Sequence, residues 1–214
     1  MTNYSTIHGD LRLEGKIDTG YTTPTDLNID CGTEKTLVLT EVVWQDINLG
    51  AALLSLPVAT QPDEVQFVDE AGNNTGIYSW GFAVDEKVSG NFELQHDYKE
   101  GTDLHFHLHY QGVAAPTGTD KIKWQLTYTL SRDNTTLNAV TTIPKECDFD
   151  TRYEFIRCDF DAITGTDFKI GDQFLFTLAR IAASQDEYGG DAIVATLGVH
   201  YQIDTIGSRQ IGTK

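Results

Sequence analysis

Apolar and polar residues alternate with a period of two along most of this chain. The strictest case is Leu104-His-Phe-His-Leu-His-Tyr110. Side chains two apart on a strand share a face. The spacing therefore predicts a strand that sends Leu104, Phe106, Leu108 and Tyr110 into a core and leaves His105, His107 and His109 on the opposite face. Residues 122–130 repeat the pattern, with Ile122, Trp124, Leu126, Tyr128 and Leu130 expected inward. Segments 36–44, 65–68, 77–84, 88–96, 137–143, 152–160, 173–180 and 192–204 read as further strands, rich in residues that suit pleated surfaces. Pro144 is expected to end the strand at 137–143, and the composition of residues 49–56 favours a short helix.

Turn chemistry separates these runs. Residues 69–76, 97–103, 132–135, 164–167 and 185–191 are rich in Gly, Asp, Asn and Thr. Strands at this spacing with little helix predict an all-β protein, a jelly-roll-like antiparallel β-sandwich. Residues 1–34 carry a looser pattern broken by Gly9, Gly15, Gly20 and Pro24, too short to hold a core alone. They are expected to form an extended N-terminal arm or hairpin for attachment or oligomerisation, with the sandwich over residues 35–214.

Charge narrows the partners. Thirty-two acidic residues against 15 basic ones give a net charge of −17. Nucleic acid, whose affinity comes from Lys/Arg neutralisation of phosphates, is not expected as a partner, and neither is a membrane. No apolar run approaches the roughly 20 residues of a membrane helix. The N-terminus shows no basic region followed by an apolar one, so no secretory signal is expected. The three cysteines, Cys31, Cys147 and Cys158, fit no zinc spacing. Cys147 and Cys158 can meet across a hairpin, but a chain made in a reducing compartment is expected to keep them as small, mostly buried thiols.

The histidine strand is the main candidate for chemistry. Alternate positions lie about 6.5–7 Å apart, so imidazoles converge on one metal only if the strand curves. Gly101, His107 and His109 match the opening of the first cupin motif, a Gly, five residues, then His-X-His. The later Glu of that motif falls on Val113, Ala114 and Ala115, and the neighbours of His200 do not match the second motif. A three-fold axis gathering one histidine from each of three chains is an alternative. The plainer expectation is a polar sheet face, with His105, His107 and His109 as weak metal candidates and no cofactor. No Gly-X-Ser-X-Gly elbow marks a nucleophile. Asp69, Glu70, Asp186 and Glu187 lie in loops and are expected to be solvated. Trp80 and Trp124 are expected in the core and Trp44 at an edge.

Gln95-His-Asp-Tyr-Lys-Glu-Gly-Thr-Asp103, followed by His107-Leu-His-Tyr110, resembles a group of tailed-bacteriophage and prophage virion proteins. Their pattern is a strand, Pro-His, an aromatic, Lys-Glu-Gly-Thr/Ser-Asp, then His-Val-His-Trp; this chain has Gln95 for the Pro and Tyr110 for the Trp. The strand around Trp124 and the segments 37–47 and 199–210 are similar as well. The resemblance spans about residues 35–214. It implies a non-enzymatic virion structural protein: a head decoration or fibre, or a tail adaptor or spike. The expected setting is a homotrimer on the particle exterior, assembled in the host cytoplasm, contacting the major capsid or tail proteins, with a host-surface glycan as a further partner. The alternatives are a carbohydrate- or host-receptor-binding module and a cupin-like metal-dependent enzyme.

Overall fold

The computed structural model describes residues 38–208, which fall in the second of the two units into which the chain divides, 1–35 and 36–214. The expected N-terminal arm, the thiol of Cys31 and the last residues of the tail lie outside the described residues. Among the described residues ten strands run in order: β1 (Val38–Gly50), β2 (Asp63–Val68), β3 (Asn74–Phe82), β4 (Lys87–Glu93), β5 (His105–Gly112), β6 (Asp120–Ser131), β7 (Thr141–Phe149), β8 (Phe155–Asp159), β9 (Gln173–Ile181) and β10 (Ala192–Thr205).

They form two antiparallel sheets. The first has the order β2-β3-β10-β5-β8, with β1 also paired to β10; the second has the order β4-β9-β6-β7. From β3 to β10 successive strands change sheet at every step except β6 to β7, which pair within the second sheet; this is the doubled Greek key of a jelly roll. β10 is long enough to take two partners along one side. Residues 192–194 pair with β3, and residues 196–205 with β1.

The alternation seen in the sequence explains the core between the sheets. Leu104, Phe106, Leu108 and Tyr110 are all buried from β5 and its approach, opposite Ile122, Trp124, Leu126 and Leu130 from β6; Tyr128 is half-buried. Trp124 packs edge-on against Phe82 at 5.4 Å, and Phe174 stacks on Phe92 at 5.0 Å.

Several local expectations change. β1 runs through Gly50, so the helix expected over 49–56 shrinks to one 3-10 turn at Ala51–Leu53. Pro144 does not end a strand: β7 runs through it, because among the described residues β7 is a sheet edge paired only with β6 and needs no second ladder there. Cys147 and Cys158 are joined as a disulfide, with Cα atoms 6.1 Å apart. They do not face each other in a hairpin: Cys147 lies on the edge strand of one sheet and Cys158 on the edge strand of the other. The bond closes one side of the sandwich.

Glu187 is not simply solvated either. It accepts a hydrogen bond from Arg180 Nη2 at 2.7 Å, and Arg180 is 1% exposed. Arg180 also donates to the carbonyls of Phe82, Tyr188 and Gly190, tying the 187–190 loop to two strands.

The Lys-Glu-Gly-Thr-Asp stretch is wired into the fold. The Tyr98 hydroxyl donates to Thr102 O, Gly165 N donates to Asp103, and Ile170 N donates to Glu100. Gly101 takes φ +82°, a region open to glycine at little cost. No helix among the described residues is long and apolar enough to cross a membrane.

Candidate functional site

The outer face of the six-stranded sheet carries the candidate chemistry. Register places its side chains. Asp46 of β1 lies opposite His200 of β10, which lies opposite His105 of β5. One step along, Asn48, Gly198 and His107 are aligned, and His107 in turn faces Asp159 of β8. Trp44, Asp46, His200, the three histidines of β5, Arg157 and Asp159 therefore share one side.

The three histidines of β5 do not gather. His105 meets the exposed ring of Trp44 edge-on, with centroids 5.2 Å apart. His109 stacks on Phe155 at 5.7 Å, the planes 7° apart. His107 alone turns toward β1. It can do so because Gly198 has no side chain: a Cβ there would stand 2.3 Å from His107 Cε1 and 2.4 Å from Nε2. The imidazole lies over β10 beside Asp46 and His200. Its ring is 4.4 Å from that of His200, and only 3% of the residue is exposed. The rings of His107 and His109 meet edge-on at 5.2 Å, but among the described residues it is Asp46 and His200, not His109, whose ligand atoms cluster with those of His107.

Asp46 is held from the backbone. Its Oδ1 accepts from Val199 N at 3.0 Å and its Oδ2 from the Asn48 amide at 3.2 Å. His200 Nε2 lies 3.9 Å from Asp46 Oδ2. Burial lowers the His107 pKa, and the charges of His200 and Arg157 lower it further against the weaker pull of Asp46. His107 is neutral at neutral pH, and its Nδ1 is buried with no hydrogen-bond partner.

Beside this cluster runs an open trough of about 520 Å³ lined by Trp44, His105, Arg157, Asp159, Phe160 and His200. Trp44 is 45% exposed on β1. Arg157 Nε and Nη2 both donate to Asp159 Oδ1, at 2.8 and 2.6 Å. The trough thus offers an aromatic face, a guanidinium, a carboxylate and two imidazoles side by side. Asp46, missed in reading the sequence, sits two residues after Trp44 and so on the same face; only the strand order shows that His200 and His107 meet it.

Neither a known protein family nor a curated protein matches the chain. Solved structures do. The CBM36-1 domain of a multidomain xylanase from the hindgut metagenome of Trinervitermes trinervoides aligns over 72% of this chain and 96% of its own, at 10% identity and TM-score 0.38. Dimeric latent PorU from Porphyromonas gingivalis aligns over 81% of this chain and 14% of its own, at 12% identity and TM-score 0.38. TmCBM61, solved in complex with β-1,4-galactotriose, aligns over 77% of this chain and 88% of its own, at 10% identity and TM-score 0.28. Likeness at this level assigns no ligand to this chain, and the fold stands on its own strand order.

Proposed function

We propose that this domain is a non-enzymatic binding module that takes a carbohydrate in the trough beside Trp44. The observation that carries the reading is the exposed indole of Trp44 at the rim of a polar trough. A sugar ring has an apolar face of C–H groups and an equator of hydroxyls. An exposed Trp matches the first, and groups such as Arg157, Asp159 and His200 match the second with donors and acceptors. The net charge of −17 favours a neutral glycan over an acidic one. The test is a glycan array probed with the wild type and Trp44→Ala. Loss of the stacking face is expected to weaken binding by about 1–3 kcal/mol, or roughly 5–150-fold, without unfolding the protein. Silence of the wild type on neutral glycans, or binding that survives Trp44→Ala, refutes it.

A second reading is compatible with the first: a structural subunit of a tailed-phage particle, homotrimeric and attached through residues 1–34. It is supported by the wiring of the resemblance motif, in which Tyr98, Glu100, Gly101 and Asp103 shape a loop of the sandwich. A motif that specifies architecture is what structural subunits of one kind would share. The disulfide also suits the oxidising exterior of a released particle. Deletion of residues 1–34 is expected to abolish attachment to particles. Normal decoration by the truncated chain overturns the attachment role.

A further inference from the structure

We propose that Asp46, His107 and His200 form a binding site for one divalent transition-metal ion of the zinc type. The site goes beyond the carbohydrate reading and does not rest on it, although His200 borders both.

One ligand atom from each residue already lies within 4.8 Å of the other two. A tetrahedral ion about 2.0–2.1 Å from its ligands needs them about 3.4 Å apart, so the cluster must contract by about an ångström. The parts that must move are able to. The side chains of Asp46 and His200 are 32% and 33% exposed, and their nearest oxygen and nitrogen are already 3.9 Å apart. The fixed part is His107, 97% buried over Gly198, with its Nδ1 buried and without a hydrogen-bond partner.

A polar side chain buried this deeply normally finds a partner. Here the ring stands beside a carboxylate and a second imidazole. His107 Nε2 and Asp46 Oδ1 lie 2.4 and 3.2 Å from the point a Gly198 Cβ would occupy. A larger residue at 198 would fill the space through which the imidazole reaches. Val199 N donates to Oδ1 and the Asn48 amide to Oδ2, fixing the carboxylate's orientation as outer partners do in built metal sites.

The donor set selects the ion. Two imidazoles and one carboxylate suit zinc and its neighbours, whereas calcium and magnesium take oxygen ligands. Three protein ligands leave a fourth position open. The ion would link β1, β10 and β5, three adjacent strands. It would secure β1, whose only strand partner among the described residues is β10.

The test uses the full chain, stripped with a chelator and titrated with Zn²⁺ by calorimetry and native mass spectrometry. One ion per chain is expected, together with a rise in melting temperature. Asp46→Asn and His200→Gln remove partly exposed ligands, so they should fold normally by circular dichroism, and each should weaken binding at least about 10-fold. His96→Gln, an imidazole outside the cluster, should leave binding unchanged. If the stripped protein takes up no stoichiometric zinc, or binds it equally well in Asp46→Asn and His200→Gln, the site does not exist.

Discussion

Gly198→Ala tests whether His107 lies where the site requires. The new Cβ would stand 2.3–2.4 Å from two ring atoms, where carbon atoms in contact normally keep about 3.5–4.0 Å. The ring has little room to retreat, with His200 at 4.4 Å on one side and His109 at 5.2 Å on another. Overpacking of this kind costs about 1–3 kcal/mol. The alanine also restricts the unfolded chain, which stabilises by about 0.4–1 kcal/mol. The net expectation is a loss of about 1–2 kcal/mol. In a His107→Ala background the clash is gone, so the same substitution should be neutral or stabilising. A double-mutant cycle should then show a coupling of about 2 kcal/mol. Urea denaturation with an unchanged slope is the assay. If Gly198→Ala costs nothing in the wild type, or costs the same with and without His107, the imidazole does not lie over Gly198 and the placement is refuted.

Arg180→Met leaves Glu187 without its cation and three carbonyls without their donor, and should cost about 3–5 kcal/mol in urea denaturation; a loss under 1 kcal/mol would show that the arginine is replaceable. Reduction of Cys147–Cys158 opens the loop that the bond closes in the unfolded chain and frees two sheet edges, so the denaturation midpoint should fall by the equivalent of about 2–4 kcal/mol; equal midpoints with and without reductant would place the two sulfurs apart in solution. Burial holds the Tyr98 hydroxyl up at about 12 and also raises Tyr110 and Tyr201. A folded pKa above the ordinary value near 10 contributes stability that is full below pH 10 and is lost as pH rises through about 12. Tyrosinate absorbance from these residues should therefore appear only as circular dichroism is lost; ionisation near pH 10 with the fold intact would contradict their burial.

The sandwich was legible because two-residue alternation is imposed by a core on one side and water on the other. Residues 104–110 and 122–130 show it in pure form, and both strands lie where the pattern put them. Pro144 misled because a proline reads as a stop unless its strand is known to be an edge, and edges are a property of the sheet order. The disulfide was hidden for the same reason: eleven residues apart in sequence, its cysteines lie on different sheets. The histidine face was half legible. Alternation put His105, His107 and His109 on one side of β5, but which of them turns toward β1 is decided by Gly198, on a strand about 90 residues later. Asp46 carried no mark of its role beyond its place two residues after Trp44.

The most direct test of the carbohydrate reading is to map a bound neutral glycan on the ¹⁵N-labelled protein by chemical-shift perturbation. The Trp44 indole N–H and the amides of His105, Arg157 and His200 should shift together and saturably. Shifts gathered instead around Tyr78 and Arg152, which line a separate depression with Val65 and Ile193, or no shifts with any neutral glycan, would contradict it.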